Sequence, residues 1–138
     1  MTTQQIIAVK RSWALFRNID PVLIGEVFYS RIFFKVPALK KMFPTSMEAQ
    51  YNKIIDMLSL MVARLERMDE LTNEITALAQ RHVKYGVKTW HYGIVEDALL
   101  WTLEQGLGRD YTDDVKEAWG SYIKDLSATM IKAAEMIH

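Results

Sequence analysis

LAQRHVKYGVKTWHYGIVEDALLWTL, residues 78–103, decides how the chain reads. Its first half has a helical pattern and stops at Gly86, a residue that takes a left-handed helix cap without steric cost. His82 stands late in that helix, four residues after Leu78 and three before Tyr85. Thr89 then offers a capping hydroxyl to a second helix, from about Trp90 to Gln105, which Gly106 and Gly108 break. Taken alone, His82 reads as a half-buried histidine satisfied by a hydrogen bond. The alternative is a single axial ligand to a metal whose cofactor supplies the remaining ligands.

Outward from this stretch, local punctuation divides the chain into about six helical segments. The first runs from Thr3 to about Phe16, with Ile6, Val9, Trp13 and Phe16 at helical spacing. Asp20-Pro21 supplies an N-cap followed by proline at the first helical position. That second helix reaches about Val36, where Pro37 disfavours helical angles in the residue before it. A short helical turn, Pro37 to Phe43, follows. Thr45-Ser46-Met47-Glu48 matches a capping box and opens a helix predicted to reach about Arg67. The next segment runs from about Glu70 to Tyr85. Thr112 caps the last helix, where Val115, Trp119, Tyr122, Leu126, Met130, Ala133 and Ile137 alternate steps of three and four. No stretch shows sustained strand alternation, so the expected class is all-α.

The chain has 138 residues, with Lys plus Arg 17, Asp plus Glu 17 and no cysteine. Such a length suits one domain, residues 1–138, and leaves no room for a separate nucleotide-binding module. Without cysteine there is no disulfide, thiolate zinc site, iron–sulfur cluster or cysteine nucleophile. The balanced charge argues against a nucleic-acid partner. No apolar run is long enough to span a membrane, and the start lacks a secretion signal. A cytoplasmic location is therefore expected.

Two further groups of residues stand out. Gln50, Lys53 and Ile54 share one helix face, because positions i, i+3 and i+4 are neighbours. A solvated helix start merging into a core stripe explains them equally well. Tyr29 lies among Val27, Phe28, Ile32 and Phe33. As a core tyrosine it would still need a partner for its hydroxyl.

GEVFYSRIFFKVPALKKMF, residues 25–43, resembles the second helix, proline bend and following phenylalanine of a globin. Residues 78–103 resemble the proximal-histidine segment of the bacterial flavohaemoglobin group and are similar to that of neuroglobin. QYNKIIDMLSLMVARLERM, residues 50–68, fits a distal globin helix without gaps against flavohaemoglobins. The resemblance, to a bacterial single-domain globin, implies a globin fold of six to eight helices around one haem pocket. It implies haem b, non-covalent because no cysteine can form a thioether. By the same resemblance His82 is the proximal ligand and the metal-binding residue. Phe43 is the phenylalanine that packs on the haem face. Gln50 and Tyr29 are the distal hydrogen-bonding residues, and Ile54 is the apolar distal one. Lys53 matches a position that reaches a haem propionate, and Tyr92 matches a proximal-side tyrosine. Arg81 and Val87 complete the expected cofactor contacts. There is one departure: flavohaemoglobins carry a proximal glutamate where this chain has Ala134. The nearest acid, Glu135, is one helical step or about 100° away.

These residues imply an open iron position for O2, CO or NO. Tyr29 and Gln50 offer donors to a dioxygen ligand that draws charge from the iron. Hydrogen bonds to a charged partner contribute about 1.5–3 kcal/mol each, so two slow O2 release by roughly 100-fold or more. The resemblance then points to NO dioxygenation fed by an external reductase. The rival readings are non-enzymatic O2 storage, scavenging or sensing, and a haem-free helical interaction module. A glutamine is a poor iron ligand, so a five-coordinate ferrous state is expected. His91 is expected at the surface, and His138 at the frayed terminus. Either a monomer or a homodimer is compatible with the sequence.

Overall fold

A computed structural model describes residues 1–135, with Met68 described by its backbone alone. Six α-helices and three 3-10 segments make up the described chain, which contains no strand. In order they are α1 (Thr3–Phe16), α2 (Pro21–Lys35), a 3-10 segment (Pro37–Met42) and α3 (Glu48–Ala63). A second 3-10 segment (Met68–Leu71) leads into α4 (Thr72–Lys84). Then come α5 (His91–Leu107), a last 3-10 turn (Gly108–Asp110) and α6 (Asp113–Glu135).

Several boundaries follow from local chemistry. The Asp20 side chain accepts the Val22 N–H and caps α2, with Pro21 at its first position. Thr112 Oγ1 accepts the Val115 N–H at the start of α6. Gly86 and Gly108 have φ of +84° and +53°, the left-handed region where a side chain is strained.

Other boundaries depart from the sequence reading. The capping box at Thr45 does not form. α3 begins at Glu48 behind Met47, which has helical angles and gives no side-chain cap. Met47 packs with the apolar cluster around Phe43 and Tyr51, which draws the helix start downstream. A reciprocal capping box forms instead at Thr2 and Gln5. α3 also ends at Ala63, short of Arg67. Leu65 and Leu71 are both buried, and six helical steps of about 100° would put them on different faces of one straight helix. Two tightening turns, Leu65 N–H to Val62 O and Arg67 N–H to Arg64 O, resolve this. Gly106 does not break α5. It lies inside the helix where a Cβ would collide with the Phe16 ring.

Burial organises the helices around two apolar clusters. The larger joins Val9, Trp13 and Phe16 of α1 with Trp119, Tyr122 and Ile123 of α6, and with Met61 and Val62 of α3. In the expected α6 stripe, Trp119 and Tyr122 are buried, Val115, Leu126, Met130 and Ala133 are partly buried, and Ile137 lies outside the described residues. The Trp119 indole N–H donates to Ser12 Oγ at 2.7 Å, so the one polar atom of that ring is satisfied inside the core. The smaller cluster joins Phe28, Tyr29 and Ile32 of α2 with Leu39 and Ala98. α3 packs chiefly on α2 and α1, whereas α4 packs chiefly on α6. The helix bearing Gln50 and the helix bearing His82 therefore rest on different supports, and α5 runs between the two groups.

Candidate functional site

His82 lies in the last turn of α4 and is partly buried. Its Nδ1 is 2.7 Å from the Leu78 carbonyl oxygen, one turn back. A carbonyl only accepts, so Nδ1 carries the proton and Nε2 keeps its lone pair. Burial is the main reason that His82 is held below the ordinary histidine pKa, and Arg81 adds to it against the Leu78 bond. The ring is neutral and presents one basic nitrogen, which is the state a metal ligand needs. The Tyr92 ring of α5 stacks alongside, with centroids 6.4 Å apart and planes 23° apart. Val87 is partly buried, and its N–H donates to the His82 carbonyl at 3.0 Å. Arg81 is exposed beside them.

The second group gathers on Tyr29, which is only 7% exposed. Its ring meets Phe28, Phe33, Phe43 and Tyr51 at centroid distances of 4.8, 6.1, 5.4 and 5.8 Å. Burial, and then the Tyr51 phenol, push the Tyr29 pKa up to about 12. The hydroxyl is therefore a neutral donor at ordinary pH. No described residue hydrogen-bonds it. Ile54 and Phe43 join the same apolar cluster, each partly buried. Gln50 is partly buried and Lys53 is exposed.

α5 links the two groups. Tyr92 at its start stacks on His82, while Ile94 and Val95 pack in the cluster of Tyr29, Phe43 and Ile54. The residue types gathered here fit a planar, largely apolar cofactor that brings most of its metal's ligands itself. Phe43, Ile54, Val87 and Tyr92 all remain only partly buried, a basic imidazole nitrogen stands on one helix, and an unpartnered phenol stands on another. Among the described residues no three His, Asp or Glu side chains form a metal-ligand set. A metal held by His82 must therefore bring other ligands with it, as a porphyrin does.

Some expectations are corrected. His91 is not at the surface: it is 7% exposed, its Nδ1 accepts the Lys88 N–H at 2.8 Å, and the Trp90 ring covers it at 4.0 Å. The side-chain cap expected from Thr89 does not form: α5 starts behind Trp90 with no side-chain cap, and the His91 and Tyr92 N–H groups donate to the Lys88 and Thr89 carbonyls instead. Glu135 is exposed and Ala134 partly buried. His138 lies outside the described residues. Sequence reasoning missed Leu78 as the acceptor that orients His82, although its i−4 spacing was a signal. It also missed Tyr51, whose adjacency to Gln50 gave no hint of its contact with Tyr29.

Comparison with known proteins shows which family and fold this chain resembles. The Globin family model matches residues 26–130. An uncharacterized globin-like protein of Aquifex aeolicus is 29% identical over 100% of this chain and 98% of its own length. A flavohemoprotein of Vibrio cholerae is 27% identical over 86% of this chain and 31% of that protein. A bacterial globin from Campylobacter jejuni superposes with a TM-score of 0.85 at 22% identity, covering 97% of this chain and 96% of the other. Among the described residues no helix is long and apolar enough to cross a membrane.

Proposed function

The chain belongs to the globin family, and we propose that it is a haem-b protein that binds O2, CO and NO and turns NO over by dioxygenation with electrons from a reductase. Bound haem supplies a ferrous iron with one position open to a diatomic ligand, held non-covalently since the chain has no cysteine. The chain's own residues do the rest. His82 offers Nε2 because its Nδ1 proton is committed to Leu78. The stacked Tyr92 ring limits the tilt of the imidazole. Arg81 and Lys53 are the cations for the cofactor's carboxylates. Phe43, Ile54 and Val87 form apolar walls that keep water from the ligand.

The observation that carries the reading is Tyr29, a buried side chain whose neutral hydroxyl has no hydrogen-bond partner among the described residues. A donor held in an apolar ring of side chains strengthens its bond to any ligand that gains negative charge. Gln50 adds an amide donor from α3. This arrangement favours long retention of O2, which suits reaction with a second gas better than delivery. The test is nitrate formation from NO and O2 by the haem-loaded protein with a supplied reductase. Turnover well above that of free haem is expected, and turnover equal to free haem refutes the catalytic reading. A full Soret band on haem addition to the parent, lost in His82→Ala, is expected for the binding step.

A further inference from the structure

Tyr51 follows Gln50 in sequence, yet one helical step turns it about 100° away toward α2. There it sits over Gly25. A Cβ built at Gly25 would overlap the Tyr51 side chain, Cβ and ring carbons alike. Gly25 and Tyr29 are one turn apart on the same face of α2. The Tyr51 side chain thus starts in the Gly25 notch and extends along α2 until its ring lies 5.8 Å from that of Tyr29. Of the four rings around Tyr29, those of Phe28 and Phe33 belong to α2 itself, and Phe43 follows the Pro37–Met42 segment. Tyr51 alone comes from α3, the helix that carries Gln50 and Ile54.

We propose that Tyr51 is the positioning residue for Tyr29: its ring, seated in the Gly25 notch, fixes the direction of the Tyr29 hydroxyl and so the hydrogen bond offered to the gas ligand. The inference rests on the haem-binding reading above. A tyrosine ring swings about two torsions, and Phe28 and Phe33 on its own helix leave the α3 side open. Tyr51 closes that side. It also ties the aim of Tyr29 to the distance between α2 and α3, which the missing side chain at Gly25 keeps short. The ring carries this role; the Tyr51 hydroxyl has no part in it.

Three variants of the haem-loaded protein test this: Tyr51→Leu, Gly25→Ala and Tyr51→Phe. The readouts are the C–O stretching band of the ferrous CO complex and the O2 and CO dissociation rates. Tyr51→Leu removes the ring, and Gly25→Ala displaces it from the other helix. Each is expected to broaden or split the C–O band and to speed O2 loss about tenfold, the size of a weakened charge-assisted bond. CO loss should change far less, and Tyr51→Phe should restore the parent's single band. Should Gly25→Ala fail to fold, Tyr51→Leu against Tyr51→Phe decides alone. Single bands in every variant, with O2 loss within about twofold of the parent, overturn the proposal while the parent's Soret band leaves haem binding intact. Tyr51→Phe behaving like Tyr51→Leu also overturns it, since the hydroxyl would then be the active group. A parent that takes up no haem overturns the haem-binding reading, and this one with it.

Discussion

The indole N–H of Trp119 and the hydroxyl of Ser12 meet at 2.7 Å across 107 residues of sequence. Ser12 in turn donates to carbonyls of its own helix, Ala8 O at 2.7 Å and Val9 O at 3.0 Å. Trp119 is 1% exposed and Ser12 3% exposed, so neither group can fall back on water. Ser12→Ala leaves the indole N–H buried and unpaired. The expected loss is about 1–3 kcal/mol of stability, read from the denaturant midpoint. A shift under about 0.5 kcal/mol would mean that the core relaxes to admit a water.

Tyr29→Phe removes the hydroxyl and keeps the ring among its four aromatic neighbours. O2 dissociation should accelerate roughly ten- to a hundredfold, the worth of one charge-assisted bond, while CO dissociation moves little. Stopped-flow measurement of both gases separates the donor from a steric effect. Tyr29 stays protonated until about pH 12, so the parent's O2 dissociation rate should be flat from about pH 7 to 10.

His91 carries a pH dependence of stability. Burial, and then Lys88, lower its pKa from the ordinary 6.5, and its Nδ1 must be unprotonated to accept the Lys88 N–H. With the folded pKa below the unfolded one, the unfolded chain binds more protons between the two values. The stabilisation from His91 is thus fully present above about pH 6.5 and is lost as pH falls through the lowered value. The thermal stability of the parent should fall below about pH 6.5. In His91→Gln, which cannot titrate, that slope should be shallower.

Two glycines with equally open surroundings should respond in opposite directions. A Cβ at Gly86 or Gly120 meets nothing within 4 Å. Gly86 has φ +84°, so Gly86→Ala strains the backbone and should cost about 1 kcal/mol or more. Gly120 sits in the ordinary helix of α6, where Gly120→Ala should stabilise by roughly 0.5–1 kcal/mol. Chemical denaturation of the two variants checks both signs.

Where the sequence read correctly, the cause was local. Asp20-Pro21, Pro37, Gly86 and Gly108 act through the sterics and hydrogen bonds of a few neighbouring residues. The helix-period stripe through Trp119 and Tyr122 likewise needs only one helix to be recognised. The resemblance rested on the joint order and spacing of residues 25–43, 50–68 and 78–103. Where it misread, a distant element intervened. Met47 entered an apolar cluster and moved the start of α3. His91, polar and at a helix start, was buried under Trp90. Gly106 looked like a breaker and is a contact point for Phe16.

The amino-acid sequence alone determined that the chain is helical, where most of its helices end, and which histidine and tyrosine are candidates for the pocket. Those features depend on spacing and on backbone freedom within a turn or two. The tertiary structure decided that Tyr29 is buried with its hydroxyl unpaired among the described residues, that His82 presents Nε2, and that Tyr51 meets Tyr29 through the notch at Gly25. Such features depend on how closely α2 and α3 approach and on what α5 carries from the His82 group to the Tyr29 cluster. Distances between helices come from side-chain volumes packed across the whole core, and no short stretch of sequence contains them.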